Sequence, residues 1–169
     1  MRRAAAAFLL LLSACARKGT AVYQEPGGSF SCAAPADWRV VEDGGTATFL
    51  GPASGARPYA ASISVYHHPK NSEHASPQAY HKSLTAAMKT TALKTRVWHG
   101  QTAWEFTSVR SAAAFHGAQA EPRQELTVLL SAQDGFYALV HSAPQSEPSL
   151  GAGDFDVVLQ SFRRARRAR

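Results

Sequence analysis

The sequence lacks the motifs that most directly reveal an enzyme. It contains no Gly-x-Ser-x-Gly nucleophile elbow, and its many serines and histidines follow no pattern that pairs a nucleophile with a base. Gly151-Ala152-Gly153 lacks the Lys and the third Gly that phosphate-cradling loops use. No internal repeat is visible either. We therefore expect a protein that is not an enzyme and that needs no cofactor.

Long apolar segments are also scarce, and the chain has one only at its N-terminus. Arg2 and Arg3 precede the apolar stretch Ala4 to Leu12, which is too short to span a bilayer as a stable anchor. A basic start followed by a short apolar run is typical of a secretory signal peptide. The alternative for the same run is a buried core helix.

Leu12-Ser13-Ala14-Cys15 follows the apolar run and matches the lipobox of bacterial lipoproteins. That resemblance implies a signal peptide of residues 1–14, cleavage before Cys15 and a diacylglyceryl group on the Cys15 thiol. Acyl chains contribute about 0.8 kcal/mol per buried methylene, so the anchor would hold the protein on a membrane surface. Ala16 replaces the Asp that favours inner-membrane retention in enteric bacteria, which points to the outer membrane facing the periplasm. The alternative is an ordinary signal peptide cleaved after Ala14.

Cysteine is rare, and Cys32 is the only one besides Cys15. Once Cys15 is acylated, the mature chain has no pair of thiols with which to form an intramolecular disulfide. Cys32 lies in the alternating segment Phe30 to Ala33. We therefore expect it to be a small buried side chain and not a reactive thiol.

The net charge of +6 is concentrated at the two ends of the chain. Between Gly19 and Phe162, nine basic residues stand against twelve acidic ones, a net charge of −3. A nucleic-acid-binding protein would carry basic residues on its folded surface, so we expect no nucleic-acid partner. The tail Arg163 to Arg169 holds five arginines and no large apolar residue. We predict that it is mobile and contacts anionic lipid. The alternatives are a helical extension of the domain and a loose association of the basic tail with the net-acidic body.

Residues 15–28 lack periodicity and are expected to form a lipidated tether, followed by one domain over residues 29–162. Alternation and turn signals predict the first strands of this domain, with Arg39–Val41 extending the first strand or pairing with it. These strands are Ser29–Ala33, Arg39–Val41, Thr46–Leu50 after an Asp43-Gly44-Gly45 turn, and Ala60–His68. A helix is predicted next, with Ser76 as its N-cap and Pro77 at its first position. Its apolar stripe consists of Tyr80, Leu84, Ala87 and Met88.

The second half of the domain repeats the pattern of strands followed by one helix. The predicted strands are Leu93–Trp98, Gln101–Arg110, Arg123–Ala132 and Phe136–Ser142, with turns at His99-Gly100 and Asp134-Gly135. Residues 111–122 are predicted to be a long mobile connection. A final helix from about Asp154 places Phe155, Val158, Leu159 and Phe162 on one face. Strands around two amphipathic helices indicate an α+β domain with an antiparallel β-sheet flanked by helices.

Several segments, in their order along the chain, resemble bacterial lipoproteins related to PsbP, the extrinsic protein of photosystem II. The segments are Phe30 to Trp38, Phe49 to Pro52, Val97 to Ala103, Gly135 to Val140, and Phe155 to Phe162. The resemblance covers residues 29–162 and implies an α/β/α sandwich. No residue ties this chain to a photosystem, so that role is not carried over.

The histidines raise the alternative of a metal site. Four lie close together in sequence and three are scattered: His67, His68, His74 and His81, then His99, His116 and His141. A zinc site needs three or four converging ligands. Neighbouring residues of a strand point to opposite faces, so His67 and His68 cannot both bind one ion without a bulge. We predict no metal site, and the alternative is a periplasmic metal-binding or catalytic protein that uses the His67–His81 region.

Three tryptophans could either line a ligand groove or lie in the core. They are Trp38, Trp98 and Trp104. Trp104 and Phe106 alternate with small or polar neighbours, which is the pattern of a buried sheet face. We predict that the tryptophans are core residues.

The sequence therefore indicates the location of the protein more clearly than its activity. The chain is expected to be a membrane-tethered lipoprotein, periplasmic or at the cell surface, that serves as a binding or assembly accessory of an envelope complex. Its expected partners are membrane lipid, through acylated Cys15, and an envelope protein that the sequence does not identify.

Overall fold

The computed structural model describes residues 19–55, 57–70, 72–111 and 121–164. The strands in chain order are β1 Thr20–Gln24, β2 Phe30–Pro35, β3 Arg39–Asp43, β4 Thr46–Leu50, β5 Ser62–Pro69, β6 Lys89–Thr90, β7 Lys94–Trp98, β8 Gln101–Arg110, β9 Arg123–Ala132, β10 Gly135–Pro144 and β11 Arg163–Arg164. The helices are α1 Pro77–Ala87 and α2 Ala152–Ser161.

Eight strands form a large sheet in the order β3-β4-β5-β10-β9-β8-β6, with β7 also paired to β8. Its pairings are all antiparallel. The turn between β3 and β4 contains Gly44 at φ 53° and Gly45 at φ 84°, a backbone conformation that glycine adopts without a Cβ penalty. The three turns predicted from the sequence are confirmed. They lie at Asp43-Gly44-Gly45, His99-Gly100 and Asp134-Gly135.

One face of the large sheet is covered by α2 and by a small sheet of order β1-β2-β11. The apolar face predicted for the final helix is confirmed, because Phe155, Val158, Leu159 and the following Phe162 are all buried. They pack with every second residue of the central strands, among them Val128, Leu130, Tyr137 and Leu139. Phe162 stacks on Phe30 with ring centroids 5.4 Å apart, which joins α2 to the small sheet.

The C-terminal end of α2 is held by side chains from outside the helix. The Trp98 indole N–H donates to the Leu159 carbonyl oxygen at 3.0 Å. His99 Nε2 lies 3.0 Å from the carbonyl oxygen of Gln160. Helix C-termini leave carbonyl groups without intrahelical partners, so these bonds satisfy groups that would otherwise need water. They also fix α2 against the β7–β8 turn.

The opposite face of the large sheet packs against α1. Ala79 N–H donates to Ser76 Oγ at 3.2 Å, so the predicted N-cap is confirmed. Tyr80 and Leu84 of the predicted stripe lie against the buried cluster Phe106, Leu129, Phe136 and Ala138. The antiparallel sheet thus has one helix on each face, and the predicted α+β class and α/β/α arrangement are confirmed.

The C-terminal half of the α1 stripe does not form as predicted. The helix ends at Ala87, which is exposed, and Met88 is a C-cap residue with extended backbone. Met88 N–H still donates to the Leu84 carbonyl oxygen at 2.8 Å. The chain therefore leaves the helix one turn after Leu84 and enters the short strand β6.

The first strand corrects the predicted tether. Residues 20–24 were expected to be irregular, but they form β1, which pairs with β2 along its whole length. The reason is Tyr23, whose ring centroid lies 5.1 Å from that of Phe49 and 5.9 Å from that of Phe30. One inward aromatic side chain anchors the strand, and the other apolar side chain of any size, Val22, points outward to solvent, so no clear alternation appears in the sequence.

The last described residues correct the predicted tail. Arg163 and Arg164 form β11, which pairs with Ser31 and Phe30 of β2. The Arg164 guanidinium contacts the Ser131 carbonyl oxygen and donates to Gln101 Oε1 at 2.6 Å. Strand pairing and polar contacts hold these two residues without any apolar side chain, so the expectation of mobility is wrong for them.

Two further boundaries differ from the predictions. β3 pairs with β4 and not with the first predicted strand, and α2 begins at Ala152, two residues before Asp154. The predicted signal peptide, Cys15, most of the 111–122 connection including His116, and residues 165–169 of the tail lie outside the described residues. None of the helices in the described ranges has the length and apolar character needed to cross a membrane.

Candidate functional site

A groove of about 200 Å³ opens where the N-terminal end of α2 meets the loop that follows β4. Its lining is mostly apolar, with one carboxylate: Trp38, Gly51, Pro52, Ala53, Ala60, Ala61, Leu150, Gly151 and Asp154. Trp38 belongs to the main core cluster and also lines this groove. The two roles considered for Trp38 from the sequence, core residue and groove residue, are therefore combined in one side chain.

Two glycines allow the walls of the groove to approach Trp38. A Cβ at Gly51 would lie 3.1 Å from the Ala61 carbonyl oxygen and 3.3 Å from the Trp38 ring. A Cβ at Gly151 would lie 2.9 Å from Ala61 Cβ and 3.3 Å from the Trp38 ring. Gly151 also has φ 78°, a left-handed conformation that other residues rarely adopt. Side chains at these positions would press into the indole, so the glycines determine the width of the groove.

His141 supports the groove from inside the domain. It is 3% exposed, and its Nε2–H donates to the Leu150 carbonyl oxygen at 2.8 Å. Burial lowers the pKa of His141, and the hydrogen bond from the neutral ring opposes that change only in part. The neutral imidazole thus positions Leu150 directly before the Gly151 N-cap.

The groove presents hydrogen-bond donors that the described fold leaves unused. Trp38 Nε1 is buried and has no hydrogen-bond partner among the residues that the structure describes. The first turn of α2 has no side-chain cap. Ala152 N–H donates to the Ser149 carbonyl oxygen at 3.0 Å, so the amides that follow it in the first turn are the ones without an intrahelical acceptor. Trp38 Nε1 is itself shielded from solvent, so the amides at the start of α2 are the donors that an acceptor in the groove could meet.

These features select a chemical class of ligand. The apolar walls suit an apolar side chain, and the unused donors suit carbonyl oxygens. The Asp154 carboxylate disfavours an anion at the same place. An extended peptide segment of a protein partner combines apolar side chains with carbonyl acceptors and fits this description.

A second groove, of about 230 Å³, lies between β1 and the β3–β4 turn. Two of its three acidic residues, Glu25 and Glu42, already have partners inside the fold. Tyr23 Oη–H donates to Glu42 Oε1 at 2.7 Å, and burial together with this bond raises the pKa of Tyr23. Glu25 Oε2 accepts from the Ser29 N–H at 3.0 Å, which lowers the pKa of Glu25. We interpret this groove as the seam between the two sheets.

The histidines of the predicted alternative site are not brought together. His67 lies on the face of β5 that packs toward Tyr137, with Nε2 at 3.3 Å from Asp134 Oδ1. His68 lies on the other face, stacked on Phe136. His81 Nε2 is within 2.9 Å of the Thr91 carbonyl oxygen. Within the described ranges, no group of three or more His, Cys, Asp or Glu side chains converges on a site for a metal ion.

His68 instead belongs to an aromatic cluster under α1. Its ring centroid lies 4.7 Å from that of Phe136, 4.8 Å from that of Tyr80 and 5.8 Å from that of His74. Burial is the main cause that lowers the pKa of His68, with a smaller contribution from His74. The neutral ring therefore acts as a packing group within this cluster.

Cys32 is a core residue, as predicted. Its side chain lies among Phe30, Phe162 and the other members of the main cluster and is 2% exposed. Burial raises the pKa of the thiol to about 12. A thiol with that pKa carries almost no thiolate at neutral pH, and the thiolate is the reactive form.

Trp98 and Trp104 are also packing residues. Trp98 is buried in the main cluster, and Trp104 packs, partly buried, against the cluster under α1. The core interpretation is therefore confirmed for Trp98, and Trp104 shields the edge of the second cluster.

Sequence reasoning missed a charge network beside the groove, in which Arg123 is buried and its partners Glu121 and Arg57 are partly exposed. Arg123 is 7% exposed and donates through Nε to Ser142 Oγ at 3.0 Å and through Nη2 to the Ser142 carbonyl oxygen at 2.9 Å. Glu121 joins it to Arg57, whose Nε lies 3.1 Å from a Glu121 carboxylate oxygen. In the sequence, Arg123 is only the first residue of an alternating strand, and its burial follows from partners far along the chain.

No protein-family model matches the sequence, and no curated protein matches it. Solved structures do match. Cyanobacterial PsbP (CyanoP) from Synechocystis has a TM-score of 0.56 at 14% identity, over 93% of this chain and 99% of that chain. This chain has a PsbP-like fold. The resemblance noted in the sequence is therefore confirmed at the level of the fold.

The same PsbP-like architecture is found in other proteins. The Ran-binding protein Mog1p of Saccharomyces cerevisiae matches with a TM-score of 0.55 and 12% identity, over 86% of this chain and 95% of that chain. A protein of Bacteroides thetaiotaomicron matches with a TM-score of 0.59 and 14% identity, over 89% of this chain. This chain spans 50% of the Bacteroides chain. At such identities, the likeness concerns the fold.

Proposed function

We propose that this PsbP-like domain is a membrane-tethered lipoprotein of the bacterial cell envelope, located at the outer membrane and facing the periplasm. It acts without catalysis, as an accessory that binds an envelope protein through the Trp38 groove. The observation that carries the proposal is the groove itself, which offers apolar walls and the uncapped N-terminal end of α2.

The lipobox at Cys15 supports the membrane location. β1 begins at Thr20, five residues after Cys15. A fully extended chain spans at most about 3.6 Å per residue, so a lipid on Cys15 would keep β1 within about 18 Å of the membrane surface. The domain would then work close to the bilayer, where its partner must also be found.

The likeness to another structure supports a binding role. Mog1p is described as a Ran-binding protein, so this architecture serves protein binding in at least that case. The partner of the present chain is inferred only from the chemistry of its groove. It is a protein that presents an extended apolar segment.

The anchor is tested by metabolic labelling with a fatty acid. The wild-type protein should incorporate the label, and Cys15→Ser should abolish incorporation and leave uncleaved precursor or released protein. Cys32→Ser is the matched control and should keep the label, because Cys32 is buried in the core. Label on the Cys15→Ser protein would exclude the proposed anchor.

The groove is tested by crosslinking in intact cells. Ala53 is an exposed groove residue, and Ala53→Arg should fill the groove without touching the core. Ala86→Arg, at an exposed position of α1, adds the same side chain away from the groove. A partner that is captured by the wild type and by Ala86→Arg but lost in Ala53→Arg supports the proposal. Equal capture by all three proteins would refute binding at this groove.

The Arg-rich tail is proposed to contact anionic lipid. Arg163 and Arg164 belong to β11, so the arginines to test are those in residues 165–169. Deleting residues 165–169 should weaken binding of the unlipidated protein to anionic vesicles at low salt, and the difference should shrink as salt rises. Equal binding with and without these residues would exclude the lipid contact.

A further inference from the structure

β1 differs from the other edge strands in its charge. Within the described residues it pairs only with β2, so one side of it is open. Its residues Thr20 to Gln24 include no charged side chain and no proline. The other strands with a neighbour on one side only all carry charged side chains. These strands are β3, β6, β7 and β11. Charged side chains and prolines are the usual means of blocking edge-to-edge association, and β1 has neither.

The hydrogen bonds of β1 show which backbone groups point outward. Ala36 N–H donates to the Gly19 carbonyl oxygen at 2.9 Å, and Glu25 N–H donates to that of Phe30 at 3.1 Å. In an antiparallel pair, hydrogen-bonded positions alternate along the strand. Gly19, Ala21, Tyr23 and Glu25 therefore direct their backbone groups toward β2. The N–H and C=O groups of Thr20, Val22 and Gln24 face the open side.

The side chains of β1 hold the strand firmly in place. They also leave its open side accessible. Tyr23 packs into the seam between the two sheets and donates to Glu42, so the strand cannot shift easily. Val22 points away from the domain and is 85% exposed, the largest exposure among the large apolar side chains of the described residues. A rigid strand with free backbone groups and an exposed valine at its centre is ready to accept another strand.

We propose that β1 pairs antiparallel with β1 of a second copy of this chain, with Val22 on the twofold axis. In this register, Val22 lies opposite Val22 of the second copy, and Thr20 lies opposite Gln24. Each outward N–H then meets an outward C=O of the other copy, so the outward groups of Thr20, Val22 and Gln24 are all satisfied. The small sheets of the two copies become one continuous sheet.

The composition of β1 favours pairing with β1 of a second copy over pairing with a charged segment of another protein. Self-pairing places no like charges opposite each other, because Thr20, Val22 and Gln24 are neutral. It also places two exposed valines side by side, where β-branched side chains pack well on a sheet surface. A twofold interface is self-complementary, and a strand of five residues centred on Val22 meets that condition without an unpaired end.

Disulfide trapping tests the register. Hydrogen-bonded antiparallel residues have Cα atoms about 5.5 Å apart, within the range that a disulfide accepts. In the full chain carrying Cys15→Ser, Val22→Cys should give a covalent dimer on mild oxidation. Val97→Cys is the matched control, because Val97 is 79% exposed on the edge strand β7. Absence of the Val22→Cys dimer, or equal dimer from both variants, would overturn the proposal.

Sedimentation of the same Cys15→Ser chain tests the interface without a covalent bond. The protein should be a concentration-dependent dimer, and Val22→Lys should raise its dissociation constant at least tenfold by placing two ammonium groups on the axis. Val97→Lys should leave the constant unchanged. Circular dichroism will show that both variants are folded, as the exposure of both sites leads us to expect. A monomer at all concentrations, or a dimer insensitive to Val22→Lys, would overturn the proposal.

Discussion

The imidazole of His141 donates a hydrogen bond to the carbonyl oxygen of Leu150 across 2.8 Å, at the point where α2 begins. The donor lies on the central strand β10, and the acceptor lies at the end of the connection to α2. This bond joins the middle of the large sheet to the Gly151 N-cap, which lines the Trp38 groove. The position of the N-cap beside the groove therefore depends on a histidine that is buried in the domain.

This relationship predicts that acid weakens the fold. Burial lowers the pKa of His141 in the folded state, so in mildly acidic solution the unfolded chain binds more protons than the folded chain. The stabilising contribution of the neutral ring is complete above the unfolded pKa of about 6.5 and is lost as pH falls toward the folded pKa. Denaturant unfolding from pH 8 down to pH 5 should show this loss.

Two variants separate the contributions to the acid sensitivity. His68 has a pKa lowered by burial as well, so it adds to the loss in the same direction. His141→Gln and His68→Gln should each flatten the dependence of the free energy of unfolding on pH, and the double variant should flatten it further. An unchanged slope in His141→Gln would mean that the ring does not govern stability in this range.

The two glycines at the start of α2 predict substitutions of opposite sign. Gly151→Ala places a Cβ 2.9 Å from Ala61 Cβ at a residue with φ 78°. A left-handed backbone costs an alanine about 1–2 kcal/mol before any contact is counted, so we expect a loss of about 2 kcal/mol or more. Gly153→Ala meets no atom within 4 Å and should increase stability by about 0.5 kcal/mol. Equal effects in thermal unfolding would contradict the proposed close packing at Gly151.

The sequence predicted those elements whose side chains carry a strong local pattern. The final helix was evident because Phe155, Val158, Leu159 and Phe162 recur with helical spacing, and Ser76-Pro77 marked the start of α1. The strands on either side of Asp134-Gly135 were evident from alternation and from the turn. The resulting α+β class and the PsbP-like resemblance agree with the fold.

The missed features depend on contacts between distant parts of the chain. β1 is stabilised by Tyr23 against Phe49, and β11 by Arg164 against Gln101 and Ser131, none of which produces a periodic pattern. The groove has the same origin, because Trp38, Gly51 and Gly151 meet only after folding. The sequence named Trp38 as a possible groove residue, but it did not identify the glycines that make room beside it.

The burial of Cys32 predicts a thiol that reacts only when the protein unfolds. With a pKa raised to about 12 and 2% exposure, its reaction with iodoacetamide at pH 8 should be slowed by orders of magnitude relative to a free cysteine. In the Cys15→Ser chain, the alkylation rate therefore reports the opening of the core. Addition of denaturant should raise it to that of a free cysteine. Rapid alkylation of the folded protein would show that β2 is not protected as described.

Phe162 is predicted to be the residue on which the attachment of α2 depends most. Its side chain is fully buried, and its ring lies 5.4 Å from Phe30, 5.2 Å from Tyr137 and 6.2 Å from Trp98. It therefore touches the small sheet, the large sheet and the β7 end at once. Phe162→Ala should lower the free energy of unfolding by about 3–5 kcal/mol, because the rings around it cannot all move to fill the cavity.

Val157 provides the control within the same helix. It is 37% exposed, so Val157→Ala removes little buried surface and should change the free energy of unfolding by no more than about 0.5 kcal/mol. Urea unfolding followed by tryptophan fluorescence measures both variants, since Trp98 lies beside Phe162. A loss below about 1 kcal/mol for Phe162→Ala would mean that α2 is peripheral and that the core closes without it. In that case the small sheet, which reaches α2 through Phe30, would lose its main support as well.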